Sequence, residues 1–138
     1  MKCAMKIQLY EHGKNDLELF GLVGAMAVSL DVHKSLGVAV TSMPGDMWFV
    51  ATNDLCETIG FAQIRVLKNK NMHIRYLYAE SSNEEKVNLI LRVIEWANDL
   101  EIKTLYTNDR KSAVFWEEFG FAHGESKRGN FVRWEKKL

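Results

Sequence analysis

The chain has 138 residues, 47% of them hydrophobic and 26% charged, and its formal net charge at pH 7 is zero. These values match soluble globular proteins and argue against a disordered chain. The length suits a single domain over residues 1–138 with a core of its own. The longest apolar run, "GLVGAMAVSL", has ten residues, too few to span a membrane. We therefore expect a cytoplasmic protein without a membrane partner.

The charge is unevenly distributed despite the balanced total. Residues 122–138 contain five Lys or Arg and two Asp or Glu. The final segment "FVRWEKKL" places Arg and Lys beside Phe and Trp, a pattern found in nucleic-acid-binding surfaces. A solvated edge strand with protective charges explains the same pattern, so both interpretations stay open.

The two cysteines, Cys3 and Cys56, form no disulfide framework and have no metal-ligand spacing. Together with six methionines, they predict a protein of the reducing cytoplasm that holds no metal. Cys56 falls in a predicted turn without a fixed histidine partner, so we expect a plain thiol there rather than a nucleophile.

The first half of the chain predicts one strand, one long helix and an antiparallel meander. Residues 4–10 alternate as a strand does, and residues 16–34 show helical spacing. The apolar positions of that helix are Leu19, Leu22, Val23, Met26 and Leu30. The segments 47–53, 58–69 and 71–79 then read as three strands joined by short turns. In the third strand, Ile74, Tyr76 and Tyr78 alternate against His73, Arg75 and Leu77.

The second half adds two helices and two strands. A helix begins near Ser82, and its predicted buried stripe consists of Val87, Ile90, Leu91, Ile94 and Ala97. Residues 102–108 predict a strand parallel to 71–79, because a helix separates the two. A short helix from Arg110 to Phe119 ends at Gly120, and residues 130–137 form the last strand. The order β-α-β-β-β-α-β-α-β predicts an α/β fold with a mixed sheet and helices on it.

This order, together with "DRKSAVFWEEFGF" near the end, resembles the GNAT superfamily of N-acyltransferases over nearly the whole chain. Many members carry Asn, Ala, Tyr and "GF" at fixed spacing where this chain has Asp109, Ser112, Trp116 and Gly120–Phe121. The resemblance implies the acyl-CoA N-acyltransferase fold, whose central strand splays from its parallel neighbour. It also implies transfer of an acetyl or acyl group from acyl-CoA to a primary amine.

The resemblance assigns the acetyl-CoA site to the splayed strand, the start of the following helix and the segment after residue 108. The backbone at the end of the splayed strand would pair with the pantetheine arm, and the helix start would meet the pyrophosphate. The candidate cofactor-binding residues are Leu77, Tyr78, Ala79, Ser82, Asn83, Lys86, Asp109, Ser112 and Trp116.

The loop before this helix departs from the family pattern. Members usually have a glycine-rich loop that wraps the pyrophosphate, whereas "ESSNEEKVN" contains no glycine. Ser82 with Glu85 fits a capping box, which would satisfy the free N–H groups of the helix itself. Glu84 and Glu85 place negative charge at the positive end of the helix dipole, and only Lys86 offsets them.

His73 is the candidate general base, because members often keep a base on the central strand four residues before the splayed end. Histidine suits that role since its pKa lies near neutrality; a satisfied strand histidine is the alternative. Glu80, at the mouth of the cleft, is a second candidate, with loop solvation as its alternative. Trp116 stands where members have the tyrosine that protonates the leaving thiolate, and an indole is a very poor acid. Tyr78 and Tyr106 are the candidates to replace it, with core packing as the alternative for each.

Three functions remain open at the level of sequence. The first is acyl-CoA-dependent acylation of an amine on a small molecule, a peptide or a nucleobase. The second keeps the fold but abandons ordinary acetyl-CoA use, as in compact phage-like members that modify nucleobases. The third is a non-catalytic binding or inhibitory protein that uses the cleft or the basic final strand. The resemblance also implies a homodimer that forms through late strands.

Overall fold

The computed structural model describes residues 6–14, 16–80, 83–124 and 131–138. Its elements in chain order are β1 (Lys6–Glu11), α1 (Asp16–Ala27), α2 (Leu30–Leu36), β2 (Met47–Thr52), β3 (Thr58–Val66), β4 (Asn71–Ala79), α3 (Asn83–Asp99), β5 (Thr104–Arg110), β6 (Ala122–His123) and β7 (Phe131–Lys137). Two 3₁₀ helices, Lys68–Lys70 and Val114–Phe119, connect β3 to β4 and β5 to β6.

The strands of the described ranges form one mixed sheet in the order β1-β2-β3-β4-β5-β7-β6. Strands β2 to β4 pair antiparallel and β4 pairs parallel with β5, as predicted. Strand β1, whose partner was not predicted, pairs antiparallel with β2. Helix α3 packs on one face, in a core that includes Phe49, Ile64 and Leu105. Helices α1 and α2 cover the opposite face around Trp48 and Phe61. The predicted α/β fold with a mixed sheet is confirmed.

The edge-strand interpretation of the basic C-terminal segment fits most of β7 in the described residues, because this strand is paired along its whole length on one side only. This strand pairs antiparallel with β5 from Thr104 opposite Lys137 to Arg110 opposite Phe131. On its other side the two-residue strand β6, absent from the prediction, pairs with Trp134. Only Trp134 and Glu135 have a partner on that side among the described residues, so Arg133, Lys136 and Lys137 lie on an open edge of the sheet.

The predicted helix over residues 16–34 is two helices, because the chain bends by 79° between α1 and α2. The Ser29 side chain accepts a hydrogen bond from the Val32 N–H at 3.4 Å and caps α2. A His33 ring nitrogen lies 2.6 Å from the Ala27 carbonyl oxygen at the end of α1. The described residues contain no single helix with the length and apolarity needed to cross a bilayer; α1 and α2 meet those criteria only as this bent pair.

The buried face of α3 is rotated relative to the predicted stripe. Ile90 and Ala97 are buried as expected, but the structure also buries Leu89 and Val93 and leaves Leu91 50% exposed. Two overlapping stripes satisfy helical spacing in this sequence, and contact with the sheet selects one of them.

A β-bulge in β4 overturns the alternation predicted for that strand. The register with β3 shifts between Gln63, opposite Tyr76, and Ile64, opposite Ile74. The extra residue is Arg75, and it places Tyr76 on the face opposite to that of Ile74. The two side chains therefore enter different cores.

The expectations that the cysteines form no disulfide and that Cys56 is a plain thiol are wrong, because this cysteine is disulfide-bonded. Cys3, the other cysteine of the chain, lies outside the described residues. The nucleophilic form of cysteine is the thiolate, so the disulfide-bonded Cys56 cannot act as a nucleophile.

Candidate functional site

A gap between β4 and β5 forms the centre of the site. The strands pair in register from Asn71 with Thr104 to Ile74 with Thr107, and then they separate. The Thr107 hydroxyl donates to the Ile74 carbonyl at 2.8 Å and closes the end of the ladder. Residues 76–79 still pair with β3 on their other side. The predicted splay of the central strand is confirmed.

The splay leaves backbone groups of β4 directed into the gap. The Glu80 N–H donates to the Ile59 carbonyl on β3 at 2.8 Å. Backbone groups alternate in direction along an antiparallel strand, so those of Tyr78 also point toward β3. Those of Leu77 and Ala79 consequently point into the gap, where an extended ligand can pair with them as an added strand.

A cavity of about 420 Å³ passes through the gap from one face of the sheet to the other. On the α2 side its lining includes Ser35, Leu36 and Val38, and on the α3 side it includes Lys86 and Trp116. A second cavity of about 400 Å³ adjoins the first at Ser35 and Lys86. Both volumes lie in the range of small-molecule sites.

A buried carboxylate organises the α2-side wall of the first cavity. Asp46 is 1% exposed and accepts hydrogen bonds from Arg65 Nε at 2.8 Å and Nη2 at 2.9 Å. Arg75 Nη1 donates to the same carboxylate at 3.2 Å. Burial acts to raise the pKa of Asp46, but hydrogen bonds from Arg65 and the Met43 N–H outweigh it, so the pKa lies below its usual value.

Arg75 extends this network to the loop between α2 and β2. Its guanidinium donates to Gln63 Oε1 at 2.7 Å and to the Thr41 carbonyl at 3.1 Å. The Tyr76 hydroxyl donates to the Ala39 carbonyl at 3.1 Å. These bonds hold the loop against the sheet and thereby fix the rim of the cavity.

His73 faces the same wall and stacks on Tyr106, with ring centroids 4.5 Å apart and planes 9° apart. The Arg133 guanidinium lies 3.8 Å from the centroid of the Tyr106 ring. Burial, together with the positive charge of Arg75 and other arginines, lowers the pKa of the His73 imidazole from 6.5 to about 4. The imidazole is therefore uncharged at neutral pH and is a weak base.

Aromatic packing builds the α3-side wall. Trp116 is 2% exposed, and its indole N–H donates to Asp109 Oδ2 at 2.9 Å. The Lys86 amine lies 4.6 Å from the centroid of the Phe115 ring. Burial lowers the pKa of Lys86, and the charge of Asp109 offsets part of this effect. Trp116 thus packs and positions a carboxylate, and it offers no acidic proton.

Arg110 connects the end of β5 to α2. Its Nη1 donates to the Ser35 carbonyl at 3.0 Å and its Nη2 to the Lys34 carbonyl at 3.3 Å. Gly37, at φ 80°, ends α2 beside this guanidinium. A Cβ at Gly37 would lie 2.9 Å from the Phe131 ring and 3.0 Å from Arg110 Nη2, so the approach requires glycine.

The predicted site residues that the structure describes separate into three groups, and one further residue lies outside the described ranges. Those that line the cavity through the gap are His73, Leu77, Lys86, Asp109, Ser112 and Trp116. Tyr78, Ala79 and Asn83 line the adjoining cavity, together with Leu77 and Lys86. Glu80 is exposed after β4, Tyr106 packs behind His73, and neither lines these two cavities. Ser82, and with it the predicted capping box, lies outside the described residues.

Sequence reasoning missed Arg75 and Arg110, which both line the cavity through the gap. The prediction that Arg110 begins a helix is wrong, because β5 continues to this residue and the 3₁₀ helix begins at Val114. Arg75 shares a strand with His73, but only the bulge and the contact with Asp46 define its direction. No periodicity or motif in the sequence indicates that these two arginines line the same cavity.

Neither the models of known protein families nor the curated protein sequences match this chain. Solved structures match it closely in shape. An acyl-CoA N-acyltransferase from Pseudomonas aeruginosa has a TM-score of 0.75 at 13% identity, covering 96% of this chain and 99% of that one. A GNAT-family acetyltransferase from Staphylococcus aureus has a TM-score of 0.65 at 12% identity, covering 96% and 99%. The PaiA N-acetyltransferase of Thermoplasma acidophilum, in complex with coenzyme A, has a TM-score of 0.64 at 16% identity, covering 97% and 100%.

These comparisons define the class of structure. The chain has the fold of the GNAT acyl-CoA N-acyltransferases, as its resemblance to that superfamily implied. At these identities the shared property is the fold, so the chemistry has to be argued from the residues of this chain.

Proposed function

We propose that this protein is an N-acyltransferase that moves an acyl group, such as acetyl, from acyl-CoA to an amine. The proposal depends on the gap beside Leu77 and Ala79. Their backbone groups face a cavity that opens to both faces of the sheet. The pantetheine arm of CoA is an extended chain with amide groups of its own, so it can pair with this edge as a strand does.

The residues on the α3 side suit the rest of acyl-CoA. Lys86 supplies a cation, and the first turn of α3 supplies N–H groups, which together favour phosphate. Glu84 and Glu85 lie in the same turn and oppose this attraction. Trp116 supplies apolar surface for the arm between the phosphates and the thioester.

In the proposed reaction, the acceptor nitrogen attacks the thioester carbon from the α2 side of the gap. The nitrogen–carbon bond forms, the carbon–sulfur bond breaks, and the sulfur leaves with the electron pair as the CoA thiolate. The amine loses one proton. The N–H of Leu77 or Ala79 can donate to the carbonyl oxygen as negative charge develops on it. Confinement of both reactants in one cavity supplies much of the acceleration.

Proton transfer is the step that this chain assists least. His73 is the imidazole of the cavity lining, and at a pKa of about 4 it removes a proton from an alkylammonium poorly. The acceptor amine therefore has to enter uncharged, and water takes the released proton or protonates the thiolate. This requirement predicts a slow enzyme for strongly basic amines.

A second candidate function is the binding of acyl-CoA without transfer. It is favoured by the bond from Trp116 to Asp109, which occupies the position where a proton donor for the thiolate would lie. A binding protein of this kind would use the same gap.

Isothermal titration calorimetry with acetyl-CoA tests both functions, since each requires a complex. We expect micromolar affinity for the natural sequence and a loss of roughly ten-fold in the Ala79→Pro variant, which lacks the gap-facing N–H. Its thermal unfolding midpoint serves as the check that the fold persists. Absence of both heat and a thermal shift at millimolar acetyl-CoA would exclude the proposal.

A matched pair of lysine variants examines the phosphate end. Lys86→Gln should weaken binding by roughly ten-fold, because one charge-assisted contact is lost. Lys103→Gln removes a cation near the start of β5, far from the gap, and should leave binding unchanged. Release of free CoA thiol in the presence of amines then separates transfer from binding alone.

A further inference from the structure

The α2 side of the cavity carries two permanent cations that the proposed reaction does not use. Arg75 reaches this side from β4, and Arg110 reaches it from the end of β5. Guanidinium groups stay protonated at every physiological pH, so their positive charge is permanent and available to an anionic ligand wherever the protein does not balance it.

The hydrogen bonds of these arginines leave positive charge uncompensated. Asp46 is the carboxylate bonded to Arg75 in the described residues, but it is shared with Arg65, so two cations compete for one anion. The Arg110 guanidinium donates to the carbonyl oxygens of Ser35 and of the residue before it, which carry no net charge. Each arginine is held in place by these bonds; the Arg75 side chain is 16% exposed, whereas Arg110 is partly exposed and its charge is more screened by water.

The remaining ionisable groups around the cavity do not reverse this excess. Asp109 lines it and keeps its negative charge, since its two oxygens accept only from the neutral Trp116 indole and a backbone N–H, but one carboxylate balances only one of the cations. Lys86 adds a further cation on the α3 side, and His73 is neutral. Two more carboxylates, Asp31 and Glu80, act on Tyr78 and line neither cavity.

Lys86 on the α3 side lies near the proposed position of acyl-CoA, whereas Arg75 and Arg110 on the α2 side lie near the proposed acceptor. Lys86 lies in the first turn of α3, where the proposed function places the phosphates. Arg75 and Arg110 lie across the gap, on the side from which the acceptor would approach. An anion that they recognise would therefore belong to the acceptor and not to CoA.

We infer that the acceptor is an amine that also carries a carboxylate or another compact oxyanion, which binds on the α2 side at Arg75 and Arg110. This inference rests on the proposed function for the identity of the two sides. Both Nη groups of Arg75 already donate to protein oxygens, so this residue contributes mainly its charge. Each Nη of Arg110 donates to one carbonyl and keeps a second N–H, with which the planar guanidinium can pair with the oxyanion. A polyamine, or an alkylamine with a second cationic group, would be repelled by the same pair.

The test uses four benzylamines that differ only in the para substituent: carboxylate, phosphonate, hydrogen and aminomethyl. The rate of CoA release with acetyl-CoA gives kcat/KM for each. We expect the carboxylate or the phosphonate to exceed benzylamine by at least roughly ten-fold and the aminomethyl compound to be slowest. The better of the two anions identifies which oxyanion the site prefers. Equal rates for all four, or the highest rate with the diamine, would overturn the inference.

Calorimetric binding of the same four compounds without acetyl-CoA separates this inference from the proposed function. If acetyl-CoA does not bind but the anionic compounds bind about ten-fold more tightly than benzylamine, the anion site survives and the transferase proposal fails. If acetyl-CoA binds and benzylamine is acylated as fast as its para-carboxylate derivative, the transferase proposal survives and the anion site is overturned. If none of the four compounds binds or reacts, the inference is overturned.

Variants of Arg110 localise the effect. Arg110→Gln should reduce the preference for the carboxylate over benzylamine to about three-fold or less, whereas Arg110→Lys should keep part of it because the charge remains. The matched control is Arg92→Gln, an exposed arginine of α3 outside both cavities, which should keep the full preference. If Arg110→Gln unfolds, Arg110→Lys and the four-compound series still decide the question. An unchanged preference in a folded Arg110→Gln would overturn the assignment to this residue.

Discussion

The two walls of the cavity are built by different interactions. On the α2 side, Arg75 donates to Asp46 and Gln63, and buried polar groups hold the wall to the sheet. On the α3 side, Trp116 and Lys86 pack with the Phe115 ring, and a hydrogen bond from the Trp116 indole N–H positions the Asp109 carboxylate. A buried polar network loses much stability when one member is removed, whereas a cation that contacts only an aromatic ring supports few other bonds and mainly changes ligand affinity. The α2 side should therefore respond to mutation in stability and the α3 side in binding.

The largest effect should come from the centre of the α2-side network. Asp46→Ala leaves Arg65 and Arg75 without their shared carboxylate, and we expect a loss of about 3 kcal/mol in the free energy of unfolding. Urea denaturation measures it. The matched control is Glu135→Gln, which breaks an exposed ion pair with Arg133 and should cost less than about 1 kcal/mol. A loss below about 1 kcal/mol in Asp46→Ala would show that the network does not stabilise the wall.

The close contact between β3 and the splayed end of β4, the strand that lies at both walls, should give the next largest effect. A Cβ at Gly60 would lie 2.6 Å from the Tyr78 carbonyl oxygen, a backbone atom that cannot move aside freely. We expect Gly60→Ala to cost about 2 kcal/mol. It should also weaken acetyl-CoA binding because β4 would shift at the gap.

The control for that variant is Gly21→Ala in α1, where no atom lies within 4 Å of the new Cβ. It should stabilise the protein by about 0.5 kcal/mol, because alanine is the better helix former. Thermal unfolding of both variants tests the pair. Equal midpoints would contradict the close contact at Gly60.

A charge change on the α3 side should affect binding more than stability. Asp109→Asn keeps an acceptor for the Trp116 N–H but removes a negative charge from the cavity lining. We expect acetyl-CoA to bind roughly five-fold more tightly at low salt, with less gain at high salt. Glu117→Gln, outside the cavity lining, is the control and should change neither acetyl-CoA affinity nor stability. Weaker binding by Asp109→Asn would mean that this carboxylate contacts the ligand favourably.

The smallest effect concerns His73 and pH. Its folded pKa of about 4 lies below the unfolded value near 6.5, so the unfolded chain binds more protons between these values. The stability contributed by the neutral imidazole is therefore complete above pH 6.5 and declines as pH falls toward 4. We expect this decline to reach about 1 kcal/mol after allowance for solvent screening.

His73→Gln should make the pH dependence of unfolding shallower between pH 6.5 and 4. Nuclear magnetic resonance of the His73 ring provides the direct measurement. A titration midpoint near 6.5 would instead restore the imidazole as a general base at neutral pH. It would also remove the reason to expect that the acceptor enters uncharged.

Much of the candidate site was within reach of sequence reasoning. The apolar alternation of residues 71–79, the helix after it and the strand over 102–108 predicted a parallel pair, and the resemblance to the GNAT superfamily implied that the central strand splays. The residues at its end, Leu77 and Ala79, do face the gap. Periodicity and connection length are local properties of a chain, and for that reason the sequence determines them.

The tertiary structure decided which side chains share the cavity and which charges they carry. The bulge at Arg75 changed the facing of the residues after it, and the bend before α2 brought Ser35 to Arg110. The low pKa of His73 arises from burial and from arginines on three strands. Each of these outcomes depends on contacts between segments far apart in the chain, and such contacts leave no periodic trace in the sequence.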